Sequence, residues 1–140
     1  GEYNMALVTY LDGARKLLNQ YVITAADATG AQTLTIDVSA LAKNNGKECT
    51  HLSLNKVYFN VQVTDNADAV EMQWDAQTNI PFIVLNGYDD YDFSSIGGIS
   101  PTAADKEVTN FSGDVIISNP ARTAGDTIFI KMEWIKHYAN

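Results

Sequence analysis

The chain has 140 residues, 46% of them hydrophobic and 19% charged, which is the span of one ordinary domain able to bury its own core. Its formal charge of -8 and nine scattered Lys and Arg oppose binding to a phosphate backbone, where cations must displace condensed counterions, and adsorption to anionic membranes. Nucleic acid and membrane are therefore not expected as partners, and a protein or neutral ligand is favoured.

Residues 1–140 read as a single β-sandwich domain. Gly1 to Asn4 precede Met5, which reads as a start, so these four are taken as appended or upstream residues and set aside. No apolar run approaches the ~20 residues of a membrane span. No basic segment followed by an apolar stretch opens the chain, so a standard export signal is not expected.

Residues 5–24 read as an N-terminal arm or helix. Leu7, Tyr10, Leu11, Ala14, Leu17, Leu18 and Tyr21 fit a helical stripe, favouring a short helix after Asp12, while Asp12-Gly13 equally suits a hairpin turn. From Thr33 the period is two, with Leu34, Ile36 and Val38 on one face of a half-buried strand. Asn44-Asn45-Gly46 then supplies residues that tolerate positive φ in a tight turn.

The long stretch His51 to Thr64 changes phase near Asn55-Lys56: Leu52 and Leu54 share one parity, Val57, Phe59, Val61 and Val63 the other. A one-residue slip turns every later side chain over, so a bulge or a change of sheet is expected there. Asp65 to Asp68 is turn chemistry, and Val70, Met72 and Trp74 define a next strand, read as the hairpin partner of the first. Ile80 to Leu85 is a continuous apolar run broken by Pro81, so it reads as a strand buried on both faces that lies at an edge or starts at the proline.

Tyr88 to Asn110 reads as a long loop region, with a short strand allowed at Tyr91 to Phe93, and is the best candidate contact surface. Gly113 to Ser118 is a short strand. In the last strand Ile128, Ile130, Met132 and Trp134 face one way, making it the expected spine of the core. The expected core is these four with Leu34, Ile36, Val38, Leu52, Leu54, Phe59, Val61, Val70, Met72, Trp74, Val115 and Ile117. Short strands without alternating helices select an all-β fold, an antiparallel β-sandwich or jelly roll, with a closed barrel as the alternative.

Nucleophilic catalysis needs a nucleophile, an activating base and an orienting group, and only His51 and His137 could supply the imidazole. Both read as ordinary strand residues. Cys49 is the single cysteine, so no intrachain disulfide can form. It reads as a buried thiol, and two residues from His51 it should share that residue's sheet face. Zinc spacing is absent. Asp89, Asp90 and Asp92 leave a weak calcium alternative, with Asp65 and Asp68 a fainter one, but no EF-hand spacing supports it. No enzyme activity, metal or cofactor is expected.

Tyr88, Tyr91, Phe93, Ile96 and Ile99 are the candidate interface residues, since their apolar groups fall outside any strand alternation. Tyr138 is a further exposed aromatic candidate, whereas Trp74 and Trp134 lie in phase with the core. Tyr88, Tyr91 and Phe93 could alternatively stack on a sugar beside the aspartates.

At Thr33 to Ser39, Val70 to Asp75, Asp92 to Ile99 and from Gly125 onward the chain resembles small virion-associated proteins of marine tailed bacteriophages. The resemblance covers most of the chain from Thr33 and rests on strands and turns. It implies a structural virion protein, a head decoration or capsid-associated part or a small tail module, contacting itself as a homo-oligomer or other virion proteins. The alternative is a carbohydrate-binding or receptor-binding module acting through residues 88–93. A hydrolase using carboxylates stands behind both.

Overall fold

The computed structural model describes residues 3–25 and 30–139. Among these residues nine strands form: β1 (Tyr3–Asp12), β2 (Lys16–Ala25), β3 (Gln32–Ile36), β4 (Cys49–Gln62), β5 (Val70–Trp74), β6 (Ile80–Leu85), β7 (Gly87–Asp92), β8 (Val115–Asn119) and β9 (Thr127–Tyr138). Single 3-10 turns lie at Val38–Ala40, Asn66–Asp68 and Ser94–Ile96, and one short helix, α1, spans Ala103–Lys106.

The strands make a five-stranded sheet in the order β1-β2-β9-β4-β7 and a four-stranded sheet in the order β3-β8-β5-β6. Every pairing is antiparallel, and beyond β1 the pairs nest: β5 with β6, β4 with β7, β3 with β8 and β2 with β9. A long ribbon folded at β5–β6, with successive pairs laid in opposite sheets, is the jelly-roll plan. The expected all-β sandwich is the fold, and it is not a closed barrel.

The N-terminal expectation is corrected. No helix follows Asp12; β1 and β2 form a hairpin, and β2 continues alongside β9 from Lys16↔Ile135 to Thr24↔Thr127. The helical stripe misleads because the buried side of β2 is Leu17, Asn19, Tyr21 and Ile23, and polar Asn19 interrupts the apolar alternation. Its carboxamide is satisfied inside, where Trp134 Nε1 donates to Asn19 Oδ1 at 3.0 Å. Tyr3 and Asn4, set aside above, begin β1, while Gly1 and Glu2 lie outside the described residues.

A second correction concerns β4 and β5, which are not hairpin partners. Asp65 caps the turn at Asn66–Asp68 by accepting from Ala67 N, and the chain there crosses from one sheet to the other. The phase change in β4 is a bulge, since the register against β9 shifts between Leu54 and Lys56. Asn45 and Gly46 adopt φ of 52° and 77° in the expected tight turn. Pro81 does sit on an edge strand.

The core fills the space between the sheets. All the expected core residues are buried except Leu34, which is half-buried because β3 is an edge with one open flank. Leu17, Tyr21, Ile23, Cys49, Val57 and Leu85 complete it. Phe82 stacks on Trp74 at 3.8 Å between centroids and meets Trp134 edge-on at 6.5 Å.

Two buried cations close the ends of this core. Lys136 Nζ donates to Asp12 Oδ1 at 2.5 Å, Gly13 O at 2.8 Å and Ala42 O at 2.8 Å, joining the β1–β2 turn to β9 and the segment after β3. Burial pulls its pKa down, but the bonds with Asp12 and Tyr138 outweigh that and leave it raised. Arg122 donates through Nε to Asn119 Oδ1 at 2.6 Å and through Nη1 to Asp68 O.

Two stability tests follow from this packing. Trp134→Ala should lower unfolding free energy by ~3–5 kcal/mol in denaturant titration, through lost burial and the cavity left behind. Lys136→Ala should cost ~3 kcal/mol, because it leaves a carboxylate and two carbonyls without their donor. An unchanged midpoint in either variant would contradict the assigned burial.

Candidate functional surface

The segment expected to be a long loop begins as a strand. β7 pairs with β4 from Gly87↔Val61 to Asp92↔Lys56, so its residues alternate between the two faces of the five-stranded sheet. Asp89 and Tyr91 stand opposite Phe59 and Val57 on the core side, and the Tyr91 ring lies 5.5 Å from Phe59. Tyr88, Asp90 and Asp92 take the outer side, with Tyr88 meeting Tyr58 edge-on at 5.6 Å. A strand made of aspartates and tyrosines carries no apolar alternation, which hides it from sequence reading.

This alternation separates the residues proposed to act together. Tyr88 and Tyr91 lie on opposite faces and cannot form one stacking platform. Asp89 likewise points away from Asp90 and Asp92, and their oxygens serve local turns: Asp89 Oδ1 accepts from Asp90 N and Asp92 Oδ1 from Ser94 N. The bonds from Ser94 hold the Asp92 carboxyl below the usual range. Among the described residues no three His, Cys, Asp or Glu side chains gather as a metal cage.

The interface candidates also divide by exposure. Ile96 is 72% exposed and Tyr88 65%, whereas Phe93 and Ile99 are half-buried against the molecule's own core. Ile99 exchanges two backbone hydrogen bonds with Leu54 at 2.9 Å, and Phe93 N donates to Asn55 O at 2.8 Å, extending the β7 edge along β4. The segment is fastened again at Gly113, φ 87°, where an added Cβ would fall 1.8 Å from Thr50 O. Phe93 is therefore not a side chain that could be removed without touching the fold. Tyr138 is also engaged internally, donating from its hydroxyl to Ala14 O at 2.5 Å.

The histidines do come together. His51 and His137 pair across β4 and β9, their rings stacked 4.5 Å apart at 9°. Ser53 Oγ lies 2.6 Å from His137 Nε2 and 2.5 Å from Ser100 Oγ, so a hydroxyl–imidazole chain ties the 97–101 segment to the sheet. Neither serine stood out in the sequence, because serines on a strand and in a loop give no signal of proximity.

A serine bonded to an imidazole is the start of a nucleophile, but the remaining parts are missing among the described residues. Ser53 is 0% exposed, and no carboxylate bonds to either ring to orient it. Cys49 offers no substitute: a bulge between Cys49 and His51 puts the thiol in the core, contrary to the shared face expected for it, and burial raises its pKa.

What remains open is the outer face of the five-stranded sheet. Val8, Tyr10 and Leu11 on β1 are 41%, 60% and 45% exposed, Leu18 lies half-buried beside Leu11, and half-buried Val22, Phe129 and Tyr58 lie on the same face, with the Tyr58 ring meeting both Phe129 and Tyr88. Lys16, Lys56, Lys131, Glu133 and Asp90 are interspersed, with Lys16 Nζ 3.7 Å from Glu133 Oε1. No described helix is long and apolar enough to cross a membrane. No protein-family model, curated protein or solved structure matches the chain.

The histidine pair generates a pH test. Burial, the charge of His137 and Lys106 lower the His51 pKa to about 4, and burial, Lys106 and Arg15 lower that of His137. The unfolded chain therefore takes up protons first, near an imidazole's ordinary pKa of ~6.5, and stability falls as pH drops from there towards 4. Melting temperature should decline over that window, and His137→Asn should flatten the decline. Identical slopes in wild type and variant would contradict the stacked arrangement.

Proposed function

We propose that this protein is a non-enzymatic structural component that works by protein–protein contact, a virion part of the head-decoration or capsid-associated kind. The observation that carries the reading is the open outer sheet face, where exposed apolar residues at the two edges, Val8, Tyr10 and Leu11 on β1 and Tyr88 on β7, flank half-buried Phe129 and Tyr58, with Gln20, Lys131 and Asp90 interspersed. Apolar surface of this kind, fringed by polar groups, suits a partner's surface better than a small ligand.

Two further points support it. Capsid proteins use the jelly-roll plan, an analogy of fold and not of site. The buried Ser53 and imidazoles held by hydroxyls and by each other, with no carboxylate bonded to them among the described residues, favour a structural role over hydrolysis. The virion assignment itself comes from the sequence resemblance.

Co-sedimentation with capsids of the encoding phage tests this. Wild type should sediment with the heads, and Tyr88→Ala should weaken binding by ~30-fold, the equivalent of a ~2 kcal/mol anchor, with unchanged circular dichroism. Failure to bind virion particles, with saturable binding on a glycan array, would replace this reading with the carbohydrate one.

A further inference from the structure

We propose that the free edge of β1 is a homotypic pairing site, on which a second copy lays its own β1 antiparallel to make one sheet continuous through both molecules. The proposal deepens the assembly reading above and rests on it, but names a different surface from Tyr88.

An unpaired strand edge presents a row of amide and carbonyl groups that will accept another strand unless something prevents it. The sandwich has four such edges, and three carry a protective device. β7 bears Asp89, Asp90 and Asp92 within six residues. β6 contains Pro81, and β3 is only five residues long. β1 has ten residues with no proline and no lysine, and its one irregularity, a bulge at Tyr10 between Thr9 and Leu11, leaves the edge regular from Tyr3 to Thr9.

Charge is arranged to permit a second copy there. Each molecule carries -8, so contact between copies needs a surface without like charges facing each other. Asp12 is the single charged residue of β1, and its carboxylate is already engaged by Lys136 Nζ and by Ala42 N at 2.7 Å. A two-fold axis near Val8, on the regular side of the bulge at Tyr10, directs the Asp12 end of one copy's β1 towards the N-terminal end of the other's, far from the second Asp12.

The packing beneath β1 is incomplete in the same place. The first sheet has one strand more than the second, and beside that overhang lies an open cleft of about 390 Å³ whose lining combines apolar Leu7, Leu17, Ile36 and Leu41 with polar Asn19 and the acidic Asp12 and Asp37. Antiparallel pairing about Val8 would bring Leu7 and Thr9 of both copies side by side beneath the joined strands and merge the two clefts. On the outer side it would cover Val8 and Tyr10, two of the exposed apolar residues. Ladder bonds and apolar burial thus act along one line.

The test uses charges at the proposed axis, where Val8 is 41% exposed and tolerates replacement. Sedimentation equilibrium should give twice the chain mass for wild type. Val8→Lys and Val8→Glu should each be monomeric with native circular dichroism, because like charges then meet at the centre. Mixing the two variants should restore the doubled mass, and Tyr88→Ala should leave it unchanged. A monomeric wild type, variants that keep the dimer mass, or a mixture that stays monomeric would each overturn the proposal. Should either variant unfold, hydrogen exchange on wild type decides: β1 amides gain protection with rising protein concentration, and concentration-independent exchange overturns it. Capsid binding by a wild type that is monomeric throughout would remove this inference while leaving the assembly reading standing.

Discussion

Lys136 Nζ sits at the end of the central strand, enclosed by Asp12 Oδ1, Gly13 O and Ala42 O, with its side chain fully buried. Taking an ammonium out of water is costly, and a well-packed apolar group is often no worse for stability. What the cation adds is register. A one-residue slip of β9 against β2 would turn Lys136 to the outer face, strand the Asp12 carboxylate and expose Trp134, whose indole is held by Asn19 two positions away. One ion pair and one indole hydrogen bond thus fix the hairpin that the jelly roll does not itself require, and keep β1 in place as the rim of the larger sheet.

The parts of the fold legible in sequence were those buried on one face without interruption. Val70, Met72 and Trp74 in β5, and Ile128 to Trp134 in β9, alternate cleanly and are buried as expected. The bulge at Asn55 showed as a change of parity. β2 was illegible because a buried asparagine stands where an apolar residue would mark the core, and Lys136 conceals the end of β9 in the same way. β7 was illegible for the opposite reason: an edge strand of tyrosine and aspartate has no core face to announce. Which strands shared a sheet could not be read locally, since β4 and β5 are neighbours in sequence and belong to opposite sheets.

The functional surface was less legible than the fold. Reading apolar residues outside an alternation as contact anchors treats the chain as if each segment packed alone. Phe93 and Ile99 are drawn back onto the core by backbone bonds to Asn55 and Leu54, which no spacing in 88–110 foretells. Ile96 and Tyr88 remain outside. The exposed face of β1 was hidden because Val8, Tyr10 and Leu11 belonged to a stripe that fits a helix. Only the pairing of β1 with β2 turns that stripe into an edge strand with a dry side, a wet side and an open ladder.

On the proposal made above, this sandwich is completed by contact with other protein surfaces, first through a second copy at β1. An electron cryo-microscopy reconstruction of the protein in its assembled state should then show density running unbroken from β2 and β1 of one copy into β1 and β2 of the next, with Val8 at the two-fold axis. A reconstruction in which the β1 edge faces solvent in every copy would contradict it.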